Sequence, residues 1–255
     1  MSRRADGDPP GSRRQPLGHV LWASLLDLAL PGRCAACGEP GIGSLCAGCT
    51  DSLAGQLWPQ PRVTRPDPCP PGLPVVVAAA PYAGILRTLL TAYKDDDRRD
   101  LLPLLAAVLR RPLSALGRPV GDDLVVPVPS SRAAVRRRGD SPLLTLTREA
   151  LEAHGVADAL HPLRRVADQA RLGRAARAGN LAGAYAVRPA ARSLLVGRPV
   201  VLVDDVVTTG ATLVEAARAL RAAGARVEFA VTLAATQRQP RGTTRTPCAL
   251  ERHGP

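Results

Sequence analysis

With 255 residues the chain is long enough to bury the core of one α/β domain and to carry an appendage. Lysine and arginine outnumber aspartate and glutamate 34 to 22, a net +12 that suits phosphates or nucleic acid, although a chain this rich in Ala, Arg, Pro and Gly owes part of that charge to coding bias. Aromatics are only 2% of residues, which argues against a dedicated base-stacking module, and no apolar run reaches the roughly 18 residues of a membrane span.

Residues 1–16 are rich in Arg, Pro, Gly and Asp and read as a disordered basic terminus. The apolar stretch that follows, 17–30, stands behind Ser12-Arg13-Arg14 as a twin-arginine leader would. His19 and Asp27 interrupt it, however, no small-x-small cleavage site follows, and Arg33 spoils a lipoprotein signal. An amphipathic helix capping the next module is the better expectation. That module is Cys34-Ala-Ala-Cys37, eight residues, then Cys46-Ala-Gly-Cys49. Each pair places two thiolates on one tight turn, and two such turns complete the closed S₄ shell of a structural Zn²⁺. A disulfide or redox reading needs an oxidising compartment; paired thiols kept for metal imply a cytoplasmic one. Cys69 and Cys248 stand apart and read as incidental thiols. Residues 17–58 thus form an N-terminal helix and Cys₄ zinc module, and 59–74, with seven prolines, a linker.

The main domain is expected over 75–236. It opens with a strand, Val75 to Ala80, and a helix, Ile85 to Tyr93, running into Lys94, the only lysine in the chain. A Leu-rich helix covers Leu101 to Arg110. A strand starts at Leu124 and ends in Pro127-Val128-Pro129, whose prolines cannot donate to a ladder. Ser130-Ser131-Arg132 and Arg136-Arg137-Arg138-Gly139 follow, then a helical segment to about Ala153 and a short candidate strand in 156–163. From Arg164 to Gly183 the chain has little apolar periodicity and suits either a basic flap over a polyanion or a solvated loop.

The most informative stretch comes next. Pro199-Val200-Val201-Leu202-Val203 has no polar break, as in a parallel strand buried on both faces. It leads to Asp204-Asp205, then Val206-Val207, the turn Thr208-Thr209-Gly210-Ala211-Thr212 and a helical pattern. Ala225 to Leu233 read as a last strand, and 237–255 as a flexible tail. Strands alternating with helices predict an α/β fold with a parallel sheet flanked by helices, whose ligand crevice lies at the carboxyl ends of the strands. Acids there can accept from ribose hydroxyls, while backbone N–H groups and threonine hydroxyls hold a phosphate at a helix N-terminus.

The stretch 199–212 resembles the 5-phosphoribosyl-1-pyrophosphate (PRPP) motif of type I phosphoribosyltransferases. That resemblance implies ribose contacts from Asp204 and Asp205 and a 5′-phosphate cradle from Thr208, Thr209, Gly210, Ala211 and Thr212. Further matches are the paired CxxC turns, Val125-Val126-Pro127-Val128-Pro129-Ser130 ahead of Arg-Arg-Arg-Gly, Tyr82-x-Gly84, and Lys94. Gln169-x-x-Leu172-x-x-x-x-Arg177-x-x-Asn180 and Gly183-Ala184-Tyr185 complete the set. With these the chain resembles, over about residues 25–235, the ComF family of competence-associated phosphoribosyltransferase-like proteins. The resemblance implies Mg²⁺ with PRPP, a nucleobase-like acceptor, and a pyrophosphate loop at Ser130, Ser131 and Arg132, with Arg132 catalytic beside the two aspartates. It also implies ligand contacts from Lys94 and from Arg171 and Arg174 of a hood. One departure stands out: the family's Arg-Gly-Phe-Asn-Gln is here Gly139-Asp140-Ser141-Pro142, without the aromatic or the amides. Three readings stay open: an active transferase, a catalytically weak PRPP- or nucleotide-binding accessory protein in DNA uptake, and a zinc-dependent single-stranded DNA-binding protein. Acceptor and oligomeric state are not legible.

Overall fold

Runs of Val, Ala and Leu without polar breaks can only be satisfied inside a sheet covered on both faces. The computed structural model, which describes residues 32–41, 43–117, 123–129, 141–163 and 183–236, places them there. Its main sheet runs, from one edge to the other, β1 (Arg62–Thr64), β2 (Val75–Pro81), β7 (Arg226–Ala235), β6 (Pro199–Val207) and β3 (Leu124–Pro127). β1 is antiparallel to β2, and every other pairing is parallel. β4 (Leu160–Pro162) and β5 (Tyr185–Val187) form a separate antiparallel pair. The α/β class and the parallel sheet expected from the sequence are therefore present. β1 is an addition: it lies inside the proline-rich stretch expected as a linker, between Pro61 and Pro66, at the sheet edge where such neighbours are tolerated.

The helices are α1 (Ala47–Gln56), α2 (Gly84–Asp95), α3 (Leu102–Ser114), α4 (Pro142–Ala150), the single turn α5 (Arg192–Leu195) and α6 (Ala211–Ala222). α2 buries Leu86, Leu89, Leu90 and Tyr93, the i, i+3, i+4, i+7 stripe of an amphipathic helix. Chain order across the sheet decides which face each helix covers. From β2 to β3, and on to Val156, which bridges Val125 in parallel, the chain advances in one direction. From β6 to β7 it returns. Right-handed crossovers then put α3 and α4 on one face and α6 on the other. Accordingly α3 packs on β2, β7 and α4, while α6 packs on β6, β7 and β5. Leu86, Leu105, Leu109, Leu202 and Leu220 are fully buried in the layers this creates, each worth roughly 1.5–3 kcal/mol. In an open α/β sheet a reversal such as that between the adjacent strands β3 and β6 is where a ligand crevice is expected, at their carboxyl ends.

The cysteine-bearing segment is docked onto this domain. Leu53 of α1 is buried, and the Gln56 amide donates to the carbonyls of Pro81 (3.0 Å) and Ala83 (2.7 Å) while its oxygen accepts from the Leu86 N–H (3.3 Å). The Trp58 N–H donates to Ala79 O at 3.1 Å, and Arg111 donates to Pro59 O at 3.0 Å. Cys69, expected as an incidental thiol, is in a disulfide whose partner lies outside the described residues. Among the described residues no helix is long and apolar enough to cross a membrane.

Gln56→Ala removes all three bonds to the β2–α2 turn and leaves its donors and acceptors unmet. A loss of about 1–3 kcal/mol should appear in calorimetry as a fall in Tm of roughly 2–4 °C per kcal/mol. An unchanged Tm would show that the clamp contributes nothing.

Candidate functional site

The crevice is built on β6. The sequence suggested a strand ending in its two acids; the strand instead carries them inside its length and runs on to Val207, with Asp204 opposite Thr232 and Val207 opposite Ala235. Alternation along a strand sends consecutive side chains to opposite faces, so the two carboxylates meet different surroundings. Asp204 is 8% exposed, and its Oδ1 accepts from the Asp205 N–H at 2.9 Å. Burial pushes its carboxyl up to about 7, against the opposing pull of the Lys94 ammonium. Asp205 is only half-buried and forms an ion pair with Lys94 of the last turn of α2. Tyr185 of β5 stands near Asp204 and Glu215, and burial, reinforced by those two charges, raises its phenol. Glu215 is itself buried and held by both arms of Arg218 at 2.7 and 2.8 Å. Beside Asp204 in the register, the Thr232 hydroxyl is fully buried without a hydrogen-bond partner.

Beyond β6 the turn Thr208-Thr209-Gly210 enters α6. Thr208 is exposed, and Thr209, Ala211 and Thr212 are half-buried. Gly210 caps the helix at φ 76°, a left-handed conformation that favours glycine, and a Cβ there would lie 2.9 Å from Leu73 Cδ1 and 3.3 Å from Pro66 Cγ. Conformation and space both demand the glycine, and the space is taken by the proline-rich stretch. Thr209 Oγ1 accepts from the Ala211 N–H at 3.4 Å, and the Val214 N–H bonds back to Gly210 O at 3.0 Å. The N–H groups before Val214 therefore lie at the positive end of a twelve-residue helix, where an anion is favoured. On the far side the Thr236 N–H holds Val207 O at 3.0 Å.

β3 ends opposite Val203, one residue before the aspartate pair, with the Val128 N–H donating to Val203 O at 2.8 Å, and Pro129 leads in sequence to Ser130, Ser131 and Arg132. Those three, and Arg171 and Arg174 with the rest of the expected hood, lie outside the described residues. Of the site residues read from the sequence, the structure brings together Asp204, Asp205, Lys94 and the 208–212 turn. Tyr185, Thr232 and Leu73 were missed as neighbours of the site. Tyr185 stood in a quoted motif, but nothing in its spacing announces proximity to Asp204.

A second constellation lies at the N-terminal side. The ligand atoms of Cys34, Cys37, Cys46 and Cys49 all fall within 4.8 Å of one another, and Cys37 Sγ is 3.7 Å from Cys46 Sγ. A regular ZnS₄ tetrahedron with Zn–S near 2.3 Å has edges of about 3.8 Å, so the donor set fits Zn²⁺. The first turn is closed by the Gly38 N–H on Cys34 O at 2.9 Å, and the second sits on α1, with Cys46 as its N-cap. Burial pushes the Cys34 thiol up, but backbone hydrogen bonds from Cys37, Cys46 and Ala36 outweigh it and bring it to about 6. Cys49 is pushed up to about 12 by the Cys46 side chain, then by burial and by Cys34. Four sulfurs this close cannot all ionise without a cation among them.

Residues 155–245 match the family model of the phosphoribosyl transferase domain. The matched span contains β4 to β7, the aspartate pair and the 208–212 turn. An α/β phosphoribosyl transferase domain with a mostly parallel sheet is therefore the class to which fold and site point. Among solved structures, the chain is similar to the allosteric regulatory enzyme of purine biosynthesis, at 24% identity over 51% of this chain, with a TM-score of 0.32. The match covers 25% of that larger chain. No curated protein matches.

The buried acid gives this site a pH signature. Unfolded, Asp204 ionises near 3.8; folded, near 7, so folding takes up a proton between those values and stability falls as pH rises through them. Asp204→Asn removes the buried charge. It should raise Tm at pH 8, by roughly 2–4 °C for each kcal/mol regained, and by little at pH 4.5, where the wild-type carboxyl is already neutral in the fold. An equal shift at both pH values would rule out the buried charge as its cause.

Proposed function

We propose that the crevice between β3 and β6 binds PRPP with Mg²⁺ and that the chain is a ComF-like phosphoribosyltransferase acting on a nucleobase or related acceptor. The observation that carries this reading is the strand–turn–helix unit 199–222, which sets carboxylates and an open helix N-terminus side by side at the point where the sheet reverses direction. Thr208, Thr209, Gly210, Ala211 and Thr212 would cradle the 5′-phosphate. Asp205, the more accessible acid, would accept from a ribose hydroxyl, and Asp204 would fix the backbone beneath it. Hard carboxylate oxygens beside a phosphate site suit Mg²⁺, which is bound by one or two carboxylates plus substrate phosphates. When bound it would neutralise charge on the diphosphate. Ser130, Ser131 and Arg132, with Arg171 and Arg174, would stabilise that leaving group.

Zn²⁺ at Cys34, Cys37, Cys46 and Cys49 would be structural, since four thiolates leave no open position. A cytoplasmic setting suits the four free thiols, whereas the Cys69 disulfide argues otherwise. The second reading, a PRPP- or nucleotide-binding accessory protein in DNA uptake with weak catalysis, is favoured by Asp140-Ser141-Pro142, which replaces the family's aromatic and amides with an acid and a proline, and by the lack of an evident base pocket in the sequence.

Calorimetry with Mg²⁺-PRPP tests the site. Asp205→Asn should weaken binding about ten- to a hundredfold, the worth of a charged hydrogen bond at roughly 1.5–3 kcal/mol, and Thr209→Val should weaken ribose 5-phosphate as much as PRPP. Equal affinity in all three proteins would refute the assignment, while a salt-tolerant complex with single-stranded DNA that PRPP cannot displace would favour a nucleic-acid function. Metal analysis should find about one zinc per chain, lost in Cys46→Ser. Protein made under reducing conditions that carries disulfides and no metal would remove the zinc module.

A further inference from the structure

Between α5, the end of α6 and the β4–β5 pair lies an open groove of about 610 Å³. That volume suits a small molecule, since ligand sites run from roughly 300 to 1,000 Å³. Tyr185, Val187 and Ala219 are its buried apolar lining, while Leu163 and Val196 line it at 50% and 69% exposure. Apolar side chains gathered in water around one concavity differ from those scattered singly over a surface, and they mark binding sites. Two cations, Arg192 and Arg218, also line the groove, and no acid does among the described residues. The two differ. Arg218 turns its Nε and Nη2 onto the buried Glu215 at 2.7 and 2.8 Å, so its charge is already answered. Arg192 is exposed, and its guanidinium makes no hydrogen bond or ion pair with any other described residue. The groove is separate from the crevice. Ala219 and Ala222 line it from the end of α6, whereas the 208–212 turn enters the start of that helix, and twelve helical residues span about 18 Å.

We propose that this groove binds a small amphiphilic anion, its apolar body lying on Val187, Val196 and Ala219 and its acidic head on Arg192. Burial of the apolar body supplies the attraction. A guanidinium presents a planar fork of donors that matches the oxygens of a carboxylate or phosphate, so Arg192 fixes the orientation. The charge pattern excludes the other occupants. A wholly apolar ligand would leave Arg192 unanswered, and a second copy of this face would set arginine against arginine. The site is independent of the sugar-phosphate reading, because none of its lining residues belongs to the aspartate pair or to the 208–212 turn.

The probe is 8-anilinonaphthalene-1-sulfonate, titrated by fluorescence into the full chain beside N-phenyl-1-naphthylamine, which has the same rings without the sulfonate. The sulfonate should bind saturably, about tenfold or more tightly than the neutral probe, as a charged hydrogen bond requires. Arg192→Gln should remove that advantage and leave the neutral probe where it was. Ala222→Phe, which fills the groove from an exposed helical position, should weaken both probes by about tenfold through overlap. Both positions are exposed, so each variant should keep the wild-type Tm. Saturating ribose 5-phosphate should displace neither probe. No saturable binding, equal affinity for the two probes, or a sulfonate affinity that survives Arg192→Gln overturns the proposal. Affinity unchanged in Ala222→Phe, or displacement by ribose 5-phosphate, places the probe elsewhere and overturns it equally.

Discussion

An aspartate carried into the interior on a buried central strand sets the terms for everything around it. Taking an ionised carboxyl out of water is costly unless other groups replace the solvent. Asp204 receives one backbone N–H and part of the field of one ammonium, and it still titrates near neutrality. The fold tolerates the arrangement because β6 is flanked on both sides by parallel strands and packed by leucines from both layers. A rigid, dry strand holds the neighbouring Asp205 in place at the crevice. The destabilising acid and the presented acid are consecutive residues on one strand, and neither could be moved without flipping the other.

The other half of the site depends on a contact between distant segments. Gly210 takes a left-handed turn, with Leu73 and Pro66 filling the volume that a side chain would occupy. Arg221, farther along α6, donates to Gly72 O at 2.8 Å and to Val227 O at 2.6 Å, tying the same stretch to helix and sheet. The back of the turn is thereby braced. This is how a helix N-terminus becomes a rigid element rather than a frayed end.

Much of this architecture was legible in the sequence, for identifiable reasons. Apolar runs without polar breaks located β2 and the first half of β6, because a strand buried on both faces leaves no room for alternation. The CxxC spacing located the sulfur cluster, because two short turns suffice to bring four thiols together. Asp204-Asp205 marked the site, but the sequence could not say that the acids would face opposite ways, since that follows from β6 continuing to Val207. Nor could it reveal β1, three residues among prolines with no periodicity of their own. Tyr185, Thr232 and Leu73 approach the site through pairing and packing across the chain, which local pattern does not encode.

β1 has a consequence beyond the site. It pairs with Val76, Val77 and Ala78 of β2, a seven-residue apolar strand that would otherwise form an open edge of the sheet. Such an edge, lined by Val and Ala and without charge, is a template for pairing with another chain. The short strand among prolines therefore acts as a cover against self-association. A version of this protein begun at Val75, where pattern alone would start the domain, would keep its aspartates and its 208–212 turn yet expose the surface most prone to aggregate.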